Sequence, residues 1–279
     1  MSTLGVLITL YRGSDPAHVR ACLDSLAAQT RPADHVVLVE DGPVLPQVEE
    51  IIRAFVAAQA PRFRVQVLRL PRNLGSGLAS AEGMTVMEED LIARLDSDDI
   101  AAPTRFEVQC EFLDRHPEID VLGTSLAEFE VSPQEVTAVR RLPENHADIA
   151  RYARINSPVN NPSVMMRASA IRRAGGYRHV HFMEDYDLYA RALATGARFH
   201  NLPEPLTYFR VSPAQLKRRT GSEMFAAELQ MQRRLVSYGL IGKPRAVMNF
   251  VARSAYRLLP TAMLRRAHAR LFHKKPKAH

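Results

Sequence analysis

Short apolar runs alternate with segments of helical periodicity through the first 95 residues of the chain. The runs are apolar at consecutive positions, which is typical of strands buried on both faces of a parallel sheet. The intervening segments repeat apolar residues every three or four positions, as amphipathic helices do. This alternation predicts an α/β fold with right-handed crossovers. The predicted strands are residues 4–10, 36–39, 65–70 and 91–95, and the predicted helices are about 16–29, 46–59, 77–88 and 103–115.

The second half of the chain has a different pattern. Residues 119–129 and 136–142 have the composition of strands, and from Pro213 onward the pattern indicates a separate helical extension. The sequence has no internal repeat and no low-complexity linker. We therefore predict one large α/β domain over residues 1–212, followed by an extension over residues 213–279.

Three carboxylates within four residues follow the fourth predicted strand: Asp96, Asp98 and Asp99. Ligands of open α/β sheets bind beyond the carboxyl ends of the strands. Hard carboxylate oxygens suit Mg²⁺ or Mn²⁺, and Mg²⁺ completes its coordination with water and phosphate oxygens. The cluster predicts a divalent cation that holds a diphosphate. The alternative is an acidic turn whose Asp residues cap the helix that begins near Pro103 and Thr104.

Five other polar segments lie before and after the cluster. The first three of them come at the ends of predicted strands, and the carboxyl ends of parallel strands meet at one edge of a sheet. The five segments are Thr9 to Tyr11, Glu40-Asp41-Gly42, the loop from Arg72 to Gly77, Asn160-Asn161-Pro162-Ser163 and Met183-Glu184-Asp185. In order and spacing, these segments and the Asp cluster resemble the inverting nucleotide-sugar glycosyltransferases of family 2, over roughly residues 3–212. The cluster matches the family's metal-binding motif, and Glu184-Asp185 matches its catalytic-base motif.

The resemblance implies a GT-A fold, a Rossmann-like, mostly parallel central sheet flanked by helices. Residues 1–99 would form its nucleotide-binding half and residues 100–212 its acceptor half. Three segments depart from the family pattern. Tyr11-Arg12 replaces Tyr-Asn, Glu40-Asp41-Gly42-Pro43 replaces Asp-Asp-Gly-Ser, and Glu82 stands where a second Asn is usual. These departures do not change the expected type of reaction, but they leave undetermined which nucleobase and which sugar the donor carries.

The resemblance also assigns roles to individual residues. Asp98 and Asp99 would hold Mn²⁺ or Mg²⁺, and Asp185 would be the general base with Glu184 beside it. The alternative is that this pair belongs to the first turn of a helix, where the helix dipole stabilises acidic side chains. The implied nucleotide-binding residues are Thr9, Tyr11, Asp41, Asp96 and Asp98, with the division between metal and ribose left open. Arg72 is a further candidate because its guanidinium group matches phosphate oxygens. The alternative for Asp41 and Arg72 is that they are ordinary turn residues. Asn160, Asn161 and Arg210 are further candidates for contacts to the acceptor.

Charge is concentrated at the C-terminal end. Residues 229–279 contain twelve Lys and Arg and no Asp or Glu, whereas the rest of the chain has 25 basic and 30 acidic residues. Helical spacing places Arg245, Asn249, Arg253 and Arg257 on one side, and Val247, Phe250, Val251, Leu258 and Leu259 mostly on the other. We predict that residues 243–279 dock on an anionic membrane surface. The alternative is that the apolar residues pack on the domain while the charges face water.

Several function classes are disfavoured. The sequence has no run of 18 apolar residues, and we expect no signal peptide. We also expect Cys22 and Cys110 to be reduced. A cytoplasmic protein is therefore expected, peripheral on the inner face of the cell membrane if the C-terminal residues dock there. The turn after strand one lacks the Gly-x-Gly-x-x-Gly of a dehydrogenase. The chain has no Trp and no span, unlike processive polysaccharide synthases of this family. No nucleic-acid partner is expected.

We therefore expect a metal-dependent, inverting, non-processive glycosyltransferase. It would move one sugar from a nucleotide-diphosphate donor, of which a UDP-sugar is favoured, to a glycan or lipid-linked acceptor in cell-surface polysaccharide assembly. The alternative is a non-catalytic sugar-nucleotide-binding or membrane-docking module on the same fold.

Overall fold

The computed structural model describes residues 1–211 and 222–257. In these residues, nine strands form one sheet with helices on both faces. The strands are β1 (Leu4–Leu10), β2 (His35–Glu40), β3 (Arg64–Arg69), β4 (Leu91–Arg94), β5 (Ile100–Ala101), β6 (Val121–Phe129), β7 (Ala138–Arg140), β8 (Met165–Arg167) and β9 (Phe199–Arg210). The helices are α1 (Pro16–Ala27), α2 (Pro46–Gln59), α3 (Ser76–Met84), α4 (Arg105–Arg115), α5 (His146–Tyr152), α6 (Ala168–Arg173), α7 (Glu184–Ala194), α8 (Ser222–Ser237) and α9 (Lys243–Arg257).

The first four strands form the parallel half of the sheet, as the sequence predicts. The strand order is β3-β2-β1-β4-β8-β6-β9-β5, with β7 beside β6. β1 pairs in parallel with β2 and β4, and β2 pairs in parallel with β3. From β4 to β8 the pairing becomes antiparallel, so the second half of the sheet is mixed. The predicted α/β fold is confirmed.

Continuous apolar runs occur in the central strands because both faces of the sheet are covered. Leu4, Val6 and Ile8 of β1 pack into one cluster with residues of α1, α2 and α4. Leu7, between them, faces the opposite cluster with α3, α6 and α7. Cys22 and Cys110 are free thiols within the core, as expected. The sheet is therefore a rigid platform whose strand ends carry the polar segments.

The longest strand of the second half was not predicted from the sequence. β9 contains Pro203 and Pro205, which normally argue against a strand because proline cannot donate to the ladder. The structure accommodates them with a register shift, since Thr124 of β6 pairs with Leu202 and the next residue, Ser125, pairs with Pro205. Pro203 and Glu204 thus bulge out of the pairing.

The C-terminal helices pack on α7. Met224, Ala227, Met231 and Leu235 of α8 join a cluster with α7 and the segment before it, whose members there are Val180, Met183, Tyr186 and Ala190. The predicted boundary at residues 212 and 213 and the predicted apolar stripe beyond residue 257 lie outside the described residues. In the described part of the chain, no helix is long and apolar enough to cross a bilayer.

Candidate active site

The carboxyl ends of β1, β2 and β4 bring the predicted nucleotide-binding residues to one edge of the sheet. Thr9 is half-buried near the end of β1, and Tyr11 is exposed directly after it. The Tyr11 N–H donates to Ser14 Oγ at 3.1 Å, and Ser14 Oγ lies 3.5 Å from Ser97 Oγ. The end of β1 therefore contacts the turn that carries the Asp cluster.

Asp41 organises the loop between β3 and α3. Its two carboxylate oxygens accept the backbone N–H groups of Leu74 at 2.6 Å and Gly75 at 3.0 Å. Gly42 follows with φ +78°, and a Cβ at this position would lie 2.7 Å from the backbone nitrogen of Asn73. Only glycine fits this close approach. Arg72, earlier in the same loop, is exposed.

The three aspartates after β4 divide into two environments. Asp96 and Asp98 are partly exposed, whereas Asp99 is fully buried. Asp99 Oδ1 accepts the backbone N–H of Arg210 at 2.8 Å, and its Oδ2 has no hydrogen-bond partner in the structure. Among the described residues, no group of three or more His, Cys, Asp or Glu side chains is arranged to hold a metal. Any cation here would therefore rely on one or two carboxylates and on oxygens from its substrate.

Glu184 and Asp185 begin α7 and meet the start of α3. A Cβ at Gly77 would lie 2.9 Å from Glu184 Cβ and 2.6 Å from the carbonyl oxygen of Arg178. Glycine at this position lets the two helix starts approach closely. Glu184 also accepts a hydrogen bond from Ser76. This contact brings the predicted catalytic acids to the loop that Asp41 organises.

The carboxylates of the two motifs share one electrostatic environment. Burial raises the pKa of Asp96 to about 6, with Arg94 opposing the rise and Asp98 and Glu184 adding to it. Burial also raises the pKa of Asp185 well above its ordinary value, and the charges of Glu184 and Asp96 raise it further. The raised pKa values of Asp96 and Asp185 are of the kind found at active sites, where carboxylates are crowded together.

Arg94, which was not among the predicted site residues, is a buried cation beside Asp96. It is the last residue of β4, and its Nη1 donates to the carbonyl oxygen of Leu7 at 3.2 Å. Its Nη2 lies 3.8 Å from Asp96 Oδ1, and its charge lowers the pKa of Asp185. An arginine inside an otherwise apolar strand was the sequence feature that could have revealed it, because a buried charge requires a partner.

Asn161 connects α7 to the Asp cluster. Its Nδ2 donates to Asp96 Oδ1 at 3.4 Å, and its Oδ1 accepts the hydroxyl of Tyr189 at 2.8 Å. Tyr189 lies one turn after Asp185 on the same helix. Asn161 was predicted to contact the acceptor, and the structure shows it as a partner of Asp96.

The other two acceptor candidates have structural contacts. Asn160 Nδ2 donates to the carbonyl oxygen of Thr124 at 2.9 Å and fixes the turn before Pro162. Arg210 Nε donates to the carbonyl oxygen of Asp98 at 3.1 Å. Arg210 therefore holds the backbone of the Asp cluster at Asp98 and, through its own N–H, the side chain of Asp99.

Asp187 differs from the two acids before it. It is fully buried, and its oxygens pair with Arg191 at 2.8 Å, Arg234 at 3.3 Å and the hydroxyl of Tyr238 at 2.7 Å. These partners join α7 to α8. Asp187 therefore stabilises the fold, while Glu184 and Asp185 remain at the edge of the sheet.

Comparison with known proteins identifies the family. The sequence profile of glycosyl transferase family 2 matches residues 6–175, which include the Asp cluster. The chain belongs to glycosyl transferase family 2. The family assignment extends the resemblance seen in the motifs to most of the α/β domain.

Two relatives are similar over nearly the whole chain. The amylovoran biosynthesis glycosyltransferase AmsE of Erwinia amylovora is 34% identical over 93% of this chain and 95% of its own length. The UDP-Gal:α-D-GlcNAc-diphosphoundecaprenol β-1,3-galactosyltransferase of Escherichia coli is 29% identical over 92% of both chains. Both of these relatives are glycosyltransferases, in agreement with the family assignment.

Solved structures confirm the GT-A fold. S. aureus TarS 1–349 in complex with UDP-GlcNAc superimposes with a TM-score of 0.67 at 16% identity, over 96% of this chain and 73% of that one. The chain spans 43% of the longer TarS chain. The mannosyltransferase PcManGT from Pyrobaculum calidifontis, in complex with GDP-Man and Mn²⁺, superimposes with a TM-score of 0.60 at 15% identity. The superposition covers 97% of this chain and 80% of that one.

Proposed function

We propose that this protein is a metal-dependent inverting transferase that moves one sugar from a UDP-sugar to a hydroxyl of a lipid-linked glycan. The observation that carries the proposal is the convergence of two carboxylate pairs at one edge of the sheet. Asp96 and Asp98 follow β4, Glu184 and Asp185 begin α7, and Asn161 joins the two segments through its hydrogen bonds to Asp96 and to Tyr189 of α7. An inverting displacement needs one group of residues that stabilises the leaving diphosphate and another that takes the proton of the acceptor hydroxyl.

The Asp cluster fits a hard divalent cation, because its donor set consists of carboxylate oxygens. Asp98 is partly exposed and is proposed as the main ligand of Mn²⁺ or Mg²⁺. Asp99 is fully buried with one oxygen engaged, so only its unpartnered Oδ2 can contribute as a second ligand. Asp96 is proposed to contact the ribose of the donor nucleotide. When bound, the cation neutralises charge that develops on the diphosphate. PcManGT, which shares the fold, is described with Mn²⁺.

Asp185 is proposed as the general base, with its carboxylate accepting the proton of the acceptor hydroxyl. Its raised pKa suits this role, because a base is most effective when its pKa lies near the working pH. The charge of Arg94 lowers the same pKa and limits the rise. Glu184, which is held by Ser76, is proposed to orient the acceptor.

The donor nucleotide is proposed to bind along Thr9, Tyr11, Asp41 and Arg72. Each carboxylate oxygen of Asp41 accepts one N–H in the structure and has a further lone pair for the N–H of a uracil base. Arg72 offers a planar set of N–H donors to phosphate oxygens. TarS, which shares the fold, is described with UDP-GlcNAc, and this supports a UDP-sugar.

The acceptor is proposed to be a sugar on a polyprenyl diphosphate. The support is the galactosyltransferase relative, whose name specifies a GlcNAc-diphosphoundecaprenol acceptor. The hydroxyl of that sugar would attack the anomeric carbon of the donor from the side opposite the diphosphate. The bond to the diphosphate breaks as the new glycosidic bond forms, and Asp185 takes the hydroxyl proton.

Donor choice can be tested with a panel of nucleotide sugars in the presence of Mn²⁺ or Mg²⁺. We expect UDP-sugars to raise the melting temperature only with the cation, and one of them to be hydrolysed slowly to UDP without an acceptor. Stabilisation by UDP-sugars with neither hydrolysis nor transfer would instead identify a non-catalytic binding module.

A further inference from the structure

The outward face of α9 is apolar, which differs from the alternative in which its apolar residues pack on the domain while its charges face water. Val247, Met248 and Val251 are 64%, 53% and 60% exposed, whereas Asn249 is 4% exposed. A helical projection places these three residues with Pro244 and Ala255 on one side. This side of α9 contains no charged residue.

The polar side of the same helix is used for packing. Asn249 Nδ2 donates to the carbonyl oxygen of Arg154 at 2.7 Å. Arg253 Nε pairs with the buried Glu228 of α8 at 2.7 Å, and its Nη1 donates to the carbonyl oxygen of Ile155 at 2.8 Å. Asn249 and Arg253 of the predicted polar stripe thus face the protein. Because these bonds fix the rotation of α9 about its axis, the apolar side is held outward.

Basic side chains border the apolar face. Lys243 is exposed one turn before Val247. Arg245 lies across an open groove of about 570 Å³ from Arg151 and Arg154 of α5 and the segment after it. Arg151 pairs with Asp148, so Arg154, Arg245 and Lys243 provide most of the positive charge of this surface. Ile155, 40% exposed, adds a further apolar side chain at the groove.

We propose that this surface, the outward face of α9 together with the basic groove beside it, docks on the interface of an anionic lipid bilayer. An exposed apolar helix face rimmed by cations matches the acyl boundary and the charged headgroups of such a bilayer at once. The complementarity is chemical on both sides, because apolar residues meet acyl chains and cations meet phosphates. The inference rests on the proposed function in one respect, since it places the enzyme where a lipid-linked acceptor resides.

The docking surface is joined to the active site through a short stretch of chain. The carbonyl groups of Arg154 and Ile155, which anchor α9, precede the turn at Asn161, and Asn161 contacts Asp96. Tyr186 of α7 donates to the carbonyl oxygen of Ala153 at 2.6 Å. Docking would therefore fix the position of the catalytic residues relative to the membrane.

Vesicle cosedimentation of the full chain tests the proposal without any donor or acceptor. Vesicles of phosphatidylcholine and phosphatidylglycerol at roughly 2:1 should bind the wild type, and binding should weaken as salt rises from about 0.05 to 0.5 M. The double substitution Val247→Glu with Val251→Glu should reduce binding at least about tenfold, and Arg154→Gln with Lys243→Gln should reduce it by roughly one order of magnitude. The control Val131→Glu with Val136→Glu, which changes exposed apolar residues elsewhere, should leave binding unchanged.

Two outcomes would overturn the proposal. One is wild-type vesicle binding by the Val247 and Val251 variant, which would assign docking to another part of the chain. The other is absence of vesicle binding together with a self-association that this variant abolishes, which would assign the face to a second copy of the chain. Transfer to a water-soluble acceptor should be retained by the variant. If no variant and no wild type transfers sugar while vesicle binding behaves as stated, the proposed function fails and the docking surface stands.

Discussion

Replacement of Asp185 by Asn is expected to lower kcat for sugar transfer by roughly two to four orders of magnitude, the usual contribution of a general base. The amide keeps the size and shape of the carboxylate but cannot accept the proton of the acceptor hydroxyl. Because Asp185 serves the acceptor, affinity for UDP should stay within about threefold of the wild type, less than 1 kcal/mol. Transfer rates and UDP titrations of the purified variant measure both quantities.

The pH dependence of the wild type provides a second measure of the same residue. Burial and the charge of Glu184 raise the pKa of Asp185 above its ordinary value of 3.8. A base is active only when deprotonated, so the transfer rate should fall as pH decreases through this raised pKa. The acidic limb should therefore lie at a higher pH than an exposed aspartate would give, and Asp185→Asn should remove it.

Asp187→Asn on the same helix is the matched control. Asp187 is fully buried against Arg191, so its loss should lower the free energy of unfolding by about 3 kcal/mol or more. At a temperature where the variant remains folded, kcat should stay near the wild-type value. Near-normal turnover of Asp185→Asn would show that Asp185, like Asp187, has only a structural role.

Asp98→Asn is expected to abolish the dependence of UDP binding on Mn²⁺ and to lower kcat about a hundredfold or more. Neutralisation of a leaving diphosphate by a bound cation contributes several kcal/mol to the transition state. Asp98 is the partly exposed carboxylate proposed as the main ligand, and an amide binds a hard cation much more weakly than a carboxylate does. Calorimetric titration of UDP with and without Mn²⁺ measures the effect.

The control for this variant is Asp24→Asn, which removes the same charge from the exposed side of α1. It should keep both the cation dependence and kcat. Equal affinity of the wild-type protein for UDP with and without Mn²⁺ would contradict the assignment of the cluster to a metal.

The sequence predicted the parallel half of the fold well because its strands are buried on both faces. β1 coincides with the predicted residues 4–10, and the strand predicted at 36–39 extends by one residue at each end to His35–Glu40. The added residues are polar and were excluded by an apolar pattern. β9 was missed because its two prolines are tolerated only through a register shift that depends on β6.

The residues that support the site were harder to predict because their partners are distant in sequence. Arg94 belongs to the strand before the Asp cluster, yet its significance depends on Asp185 on α7. The spacing of the polar residues in α9 was predicted, but the sequence left open which side of the helix faces the protein. Asn249 and Arg253 face inward because carbonyl groups at residues 154 and 155 and the buried Glu228 accept their hydrogen bonds. A helical pattern identifies a face without identifying what lies against it.

The most direct test of the proposed chemistry is the configuration of the new glycosidic bond, measured by proton NMR on the first product formed. UDP-glucose and UDP-galactose carry α-linked sugars, so either is a suitable donor once the panel has identified the preferred one. With a GlcNAc-diphosphate-lipid analogue as acceptor, direct displacement assisted by Asp185 predicts a β-linked product from the earliest time point. An α-linked first product would contradict the inverting mechanism and the role given to Asp185.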